Sequence, residues 1–274
     1  MDIFLYLSQP FAQNALLAAI LVAIMCGILG PFVIMRNMAF AVHGTSELAF
    51  TGAAAGLIVA NNPLAGALMG SLILAGIIGA LGVKEKERDS TIGVILAFGL
   101  GLGVLILSFY HGFASEATNI LFGNIFGVST NQLILLLIIG ISSIIIMTFL
   151  YRPLLFASVD PDVAEARGVP MRLLGIVFLL VLAFTITEAA QIVGTLLVLS
   201  LAITPAAAAQ RLSARPLVVT SLSVLFALIS SVGGLFASMI IDNGTIKTSV
   251  CITSISFIIY LLVRIFGRSN SNLK

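Results

Sequence analysis

The sequence predicts an all-α protein, a polytopic transmembrane helix bundle of eight to nine spans forming a single domain over residues 1–274. Three observations predict it. Sixty percent of the residues are apolar and only 9% charged, and the mean hydropathy of +1.20 exceeds what a water-soluble domain can bury. The apolar residues gather into runs of about 20, the length that crosses a hydrocarbon core about 30 Å thick. The basic residues then assort to one side when the runs are threaded in alternation.

The runs fall at 15–35, 38–60, 64–83, 91–110, 132–150, 172–190, 191–210, 216–240 and 247–266. The segment 172–210 is one apolar stretch, and its midpoint EAAQIVG reads either as a tight turn or as a break. Eight spans with one bent or re-entrant piece therefore stays open beside nine. With the N-terminus outside and nine crossings, Arg36, Lys84, Lys86, Arg88, Arg152, Arg167, Arg172, Arg211, Arg215, Arg264, Arg268 and Lys274 lie inside, and only Lys247 of the 13 basic residues lies outside. Removing one helix would invert everything after it. The N-terminal MDIFLYLSQPFAQN has neither a basic flank nor a small-residue cleavage site, so the first run is expected to remain as a helix. Cys26 and Cys251 fall inside apolar runs and read as small core residues.

Between runs, KEKERDS (84–90) is a short inner loop, and HGFASEATNILFGNIFGVSTNQ (111–132) is a longer outer one. The inner segment 151–172 differs in kind. Ser158-Val159-Asp160-Pro161 supplies a cap and an N-terminal proline, DVAEAR is long enough for about two helical turns, and Gly168 with Pro170 ends them. A short helix on the cytoplasmic face is expected. Glycines such as Gly99, Gly101, Gly103, Gly233 and Gly234 fit close helix packing in lipid.

Several chemistries are excluded. No G-x-x-x-x-G-K-[ST] occurs, nor any Gly-Lys dipeptide, so the chain cannot cradle a nucleotide phosphate by that route. The two histidines, His43 and His111, build no Ser/His/Asp grouping, and no basic-aromatic patch suits nucleic acid. What remains is passage of a solute through the membrane, driven by a partner or by a gradient.

The polar groups inside the runs are the candidates for that passage. His43 and Glu47 stand four residues apart, so on a helix they share a face with Cβ atoms about 6 Å apart. Imidazole nitrogen with carboxylate oxygen suits zinc, manganese or ferrous iron and not copper(I). One pair is too few for a tetrahedral site, and a two-fold dimer would double it. The plainer reading is that His43, near Arg36, satisfies local hydrogen bonds at the cytoplasmic end. Glu188 reads as an end-of-helix polar residue near the outer surface, with a transport role as the alternative. Thr204 and Pro205 lie inside a run, where the Leu201 carbonyl loses its donor and a kink is expected. His111 reads as a solvated loop residue.

Taken together, GPFVIMRNMAF (30–40), TGAAAGL (51–57), DSTIGVILA (89–97), LFGN (121–124), DPDVAEARGV (160–169) and QIVGTLLVLSLAITPAAAA (191–209) resemble, in order and spacing, the membrane subunits of ATP-binding-cassette importers for zinc, manganese and iron. The resemblance covers nearly the whole chain. It implies a permease domain over 1–274 in the cell membrane, with residues 158–170 as a coupling helix. Asp160, Asp162, Ala164, Glu165, Ala166 and Gly168 would meet a separate ATPase subunit, so the chain itself would be no enzyme. It implies a homodimer in membrane lipid with two cytoplasmic ATPase subunits and an extracellular or periplasmic metal-binding protein. No cofactor and no nucleic acid is implied, only a transported divalent metal: manganese, zinc or iron. The family places an Asp and, four residues on, a His at the metal, and here the positions hold His43 and Glu47 in reversed order. The family's closing proline-threonine-glycine turn is replaced by DNGTIKTS (242–249). The rival expectations are a permease for a metal chelate or cobalamin, and an ion-coupled carrier that needs no ATPase.

Overall fold

The computed structural model describes residues 9–81, 85–110, 121–195, 198–242 and 247–266, without the side chains of 80, 81, 85–89, 241 and 242. His111, Lys84, Arg268, Lys274 and residues 243–246 of the DNGTIKTS turn lie outside the described residues. Ten α-helices occur among the described residues: α1 (Pro10–Met35), α2 (Ala39–Ala60), α3 (Pro63–Leu81), α4 (Glu85–Ser108), α5 (Thr130–Val159), α6 (Pro161–Ala166), α7 (Met171–Val193), α8 (Val198–Leu212), α9 (Pro216–Asp242) and α10 (Thr248–Phe266). No strand occurs among them. Proline opens α1, α3, α6 and α9, where its missing N–H costs nothing. Ser129 opens α5 with a capping box, its backbone N–H donating to Gln132 Oε1 at 3.0 Å and its Oγ accepting from the Gln132 N–H at 3.3 Å.

Six helices are long and apolar enough to cross a membrane: α1, most of α4, α5, α7, most of α9 and α10. The apolar helices α3 and α8 are shorter, and α2 carries the polar stretch around Glu47. Helices α1 and α7 are the most enclosed. Around them α2, α3 and α4 pack as one group, α8, α9 and α10 as another, and α5 lies against both α1 and α7.

Contacts between helix ends sort those ends into two layers. In the first, Asn14 at the start of α1 donates to the Val128 carbonyl before α5, and Ser249 at the start of α10 donates to the Phe122 carbonyl. In the second, the Phe32 ring near the end of α1 meets the Tyr151 ring of α5 edge-on at 5.3 Å, and the Tyr151 hydroxyl lies 3.2 Å from Thr220 near the start of α9. Arg211 at the end of α8 reaches Tyr260 in the second half of α10. The second layer is the one that carries Arg36, Arg152, Arg172, Arg211 and Arg215.

The closest packing is between α2 and α3. A Cβ on Gly52 would overlap the Gly66 carbonyl, and one on Gly66 would overlap that of Gly52, so two backbones touch where small residues repeat every fourth position. Of the glycines singled out in the sequence, Gly99, Gly103 and Gly234 sit at tight helix contacts. Gly101 faces open space and Gly233 makes an ordinary contact. The three-residue alternation 99-101-103 cannot hold one face of a helix, whose neighbours are three or four apart.

Several boundaries differ from the sequence expectation. KEKERDS, expected as a loop, is helical from Glu85 as the first turns of α4, and α1 begins at Pro10 rather than 15. Helix α5 runs to Val159 with Pro153 inside it, well past 150, and at about 1.5 Å per residue its 30 residues outreach the hydrocarbon core. The 172–210 stretch breaks at Gly194 (φ 93°), after Val193 rather than at 190/191, because Ala190 and Gln191 continue the helix until glycine ends it. LFGN explains why that glycine is needed. Its Gly123 (φ 75°) lies backbone to backbone on Gly194 and Ile192, and the Asn124 N–H donates to the Gln191 carbonyl. Pro205 is enclosed within α8, whose Ala202 carbonyl and Ala206 methyl pack against Gly30 of α1. Thr204 beside it is half-buried.

Candidate functional site

The turn Arg36-Asn37-Met38 aims α2 into the bundle. Asn37 takes a left-handed φ of 51°, and the Met38 and Asn37 N–H groups donate to Val33 and Ile34 carbonyls, closing α1 in a Schellman turn. The Arg36 guanidinium lies 5.4 Å above the Phe178 ring, which fastens the turn to α7. Helix α2 then begins at Ala39 and brings His43 and Glu47 onto one face within its first three turns.

Glu47 is 2% exposed and its Oε2 has no hydrogen-bond partner. His43 is half-buried, with Nδ1 enclosed and likewise unpartnered. The two groups interact electrostatically. Neighbouring hydroxyls do not serve the pair: Thr45 donates to the Ala41 carbonyl, Ser46 to that of His43, and Thr51 to that of Gly99 at 2.6 Å. A buried carboxylate oxygen without a donor costs several kcal/mol unless a cation or a proton meets it. Among the described residues no group of three or more His, Cys, Asp and Glu side chains gathers to hold a metal.

On the second layer, α6 follows α5 with one residue between. Asp160 caps the end of α5 with its N–H on the Phe156 carbonyl, and its Oδ1 accepts from the Val163 N–H at 3.1 Å to start α6. Ser158, part of the cap expected from sequence, instead donates back to the Leu154 carbonyl. Gly168 (φ 82°) ends α6 in a second Schellman turn, with the Val169 N–H on the Ala164 carbonyl. Ala164 is the buried anchor, while Asp162, Val163, Glu165 and Ala166 stand exposed. The helix therefore presents a small acidic face held on a rigid stalk.

At the opposite layer lies a cavity of about 330 Å³ between the end of α2, the starts of α3 and α5, and the end of α7. Glu188 lines it and is 2% exposed, with Oε1 unpartnered. Sequence placed Glu188 near the outer surface as a helix-end group. It lies in that layer of helix ends, five residues before the end of α7, and lines the cavity with Asn61, Asn124 and Gln132 from three distant segments.

The chain matches the model of the ABC 3 transport family over residues 8–267. It is 33% identical over 252 residues to the manganese transport system membrane protein MntC of Halalkalibacterium halodurans, covering 92% of this chain and 86% of the relative. It is 28% identical to the high-affinity zinc uptake system membrane protein ZnuB of Haemophilus influenzae, covering 91% and 96%. Among solved structures it superposes on PsaBC from Streptococcus pneumoniae with a TM-score of 0.85 at 27% identity, covering 97% of this chain and 95% of that one. A metal-chelate type ABC transporter in an inward-facing conformation shares the fold, with a TM-score of 0.77 at 13% identity. With a family match across nearly its whole length, the chain belongs to the ABC 3 transport family.

Proposed function

We propose that the chain is the membrane permease of an ATP-driven importer that carries a divalent transition metal ion into the cell. The observation that carries this reading is the His43/Glu47 pair: one nitrogen and one carboxylate donor on one buried helix face, each with an unpartnered atom. Mixed nitrogen and oxygen donors suit manganese, zinc and ferrous iron alike. The reversed order relative to the family keeps both donor types. The two-layer sorting of helix ends supports nine crossings, with α8 short at about 22 Å and its outer approach filled by the LFGN turn.

The permease works as a homodimer with two ATPase subunits, since its own sequence has no nucleotide loop, and takes metal from an extracellular binding protein. Helix α6, residues 158–170 with their flanks, is the coupling helix. Its exposed Asp162, Glu165 and Ala166 meet the ATPase, and Asp160 and Gly168 fix its two ends. Force applied there passes through the single-residue junction at Asp160 into α5, and from α5 to α1 and α7. Glu47 is enclosed by its own helices, so loading and release require α2 to separate from its neighbours. Pro205, which removes one backbone hydrogen bond from α8, gives the opposite group of helices a place to bend.

A cobalamin or bulky chelate makes no use of a paired imidazole and carboxylate, so replacing both His43 and Glu47 by Ala should leave uptake of such a ligand intact. The class of transporter is tested by metal uptake into proteoliposomes. Uptake is expected only with the ATPase subunit, the binding protein and ATP together, and uptake by the lone chain would establish an ion-coupled carrier instead.

A further inference from the structure

The polar cavity at the outer ends of α2 and α7 has no part in the pair at His43 and Glu47, yet it holds the second orphaned carboxylate of the bundle. Glu188 is 2% exposed, its Oε1 has no partner, and no basic side chain lines the cavity among the described residues. A carboxyl group so placed calls for a proton or a cation to meet its orphaned oxygen.

The neighbouring amides define what that is. Gln132 Oε1 already accepts from the Ser129 N–H and hydroxyl, and Asn124 Oδ1 from the Gly127 N–H. The amides of Gln191 and Asn61 are uncommitted. Gln191 is three residues after Glu188, on the same face of α7, and Asn61 ends α2 across the cavity. The available donors are therefore all oxygen, one carboxylate and two carboxamides. At about 30 Å³ per water, the 330 Å³ volume holds an ion together with a shell of roughly six waters.

We infer that this cavity is an oxygen-donor entry site for a partly hydrated divalent cation, in which Glu188 supplies the charge and Gln191 and Asn61 supply neutral oxygens. The inference rests on the import function proposed above. Leu57, which lines the cavity, lies ten residues beyond Glu47 on α2, so the entry site stands about 15 Å outward of the inner pair. Thr185, one turn inward of Glu188 on α7, is buried with its own hydroxyl unpartnered, and α7 packs against α2. Oxygen-only donors favour hard ions such as manganese, magnesium and calcium, whereas the imidazole at the inner pair favours transition metals. Manganese satisfies both donor sets, and the imidazole at the inner pair discriminates against magnesium and calcium.

The test counts bound Mn²⁺, added alone, on the permease–ATPase complex in nanodiscs, by loss of the free-ion electron paramagnetic resonance signal. Three ions per permease homodimer are expected for the wild type, one in each entry cavity and one shared by the two inner pairs. Glu188→Gln, which keeps the size of the side chain, is expected to bind one per homodimer, and Gln191→Leu to weaken the entry-cavity ions by about tenfold. Where Glu188→Gln fails to fold, Gln191→Leu decides. A Glu188→Gln complex that binds as many ions as tightly as the wild type would overturn the inference. In the double variant His43→Ala/Glu47→Ala, two ions per homodimer should remain and calcium should compete for them, as it does at oxygen-only sites; ions there that calcium does not displace would also overturn it. Three ions per homodimer retained by that double variant, with two lost from Glu188→Gln, would sink the inner pair while leaving the entry site standing.

Discussion

The Thr51 hydroxyl donates a 2.6 Å hydrogen bond to the Gly99 carbonyl, joining the helix that carries His43 and Glu47 to α4. The Glu47 carbonyl is the hydroxyl's other neighbour, at 3.1 Å. Thr51→Val keeps the shape and removes the donor, leaving the Gly99 carbonyl without its second partner. Interhelical hydrogen bonds of this kind contribute about 0.6 kcal/mol on average and up to about 1.7. A modest fall in melting temperature in detergent is expected, and no change at all would show that α2 is held by packing alone.

Packing at the glycines is expected to be harsher and face-specific. Gly66→Val would drive a side chain into the Gly52 carbonyl, and Gly103→Val into the Phe50 ring, so both variants should fail to give a stable, monodisperse protein. Gly101→Ala meets nothing within 4 Å and exchanges a poor helix former for a good one. It should be neutral or raise stability by up to about 1 kcal/mol. Size-exclusion profiles and thermal melts of the three variants check the contrast.

Gly194→Ala should damage the outer layer out of proportion to one methyl group. The residue has φ 93°, and a Cβ there would overlap the Leu121 carbonyl and Phe122 backbone. Backbone strain of about 1–3 kcal/mol adds to the overlap. The expected readout is faster hydrogen exchange in 121–128 and at the start of α8, with α9 unaffected.

At the start of α6, Asp160→Ala removes the cap on the Val163 N–H, a loss of about 1 kcal/mol that falls on a helix of only 6 residues. The expected effect is on coupling: ATP hydrolysis by the assembled complex persists while metal uptake per ATP falls. Asp160→Asn, which keeps a capping oxygen, should restore most of it. Equal loss of uptake in both would assign Asp160 a charge-based role in docking instead.

Much of this was legible in the sequence, for identifiable reasons. Helices α2, α3, α9 and α10 start and stop within a few residues of the apolar runs, because proline, asparagine and polar turns mark the same boundaries that lipid thickness imposes. Helix α6 was legible because Asp160-Pro161 and Gly168 are local signals. The end of α7 was not, since Gly194 is dictated by the LFGN backbone laid against it, a contact 70 residues away in sequence. The site divides the same way. His43 and Glu47 announce themselves through i, i+4 spacing on one helix. Glu188 looked like a helix end because its amide neighbours come from α2, the turn before α5 and α5 itself, and no one-dimensional period connects them.

The most direct measurement is metal-stimulated ATP hydrolysis by the reconstituted complex of permease, ATPase and metal-loaded binding protein, titrated for wild type, His43→Ala and Glu47→Ala. If the pair handles the metal, each substitution should raise the metal concentration for half-stimulation by at least about tenfold. Both variants responding as the wild type does would contradict the assignment of the metal pathway to this helix face.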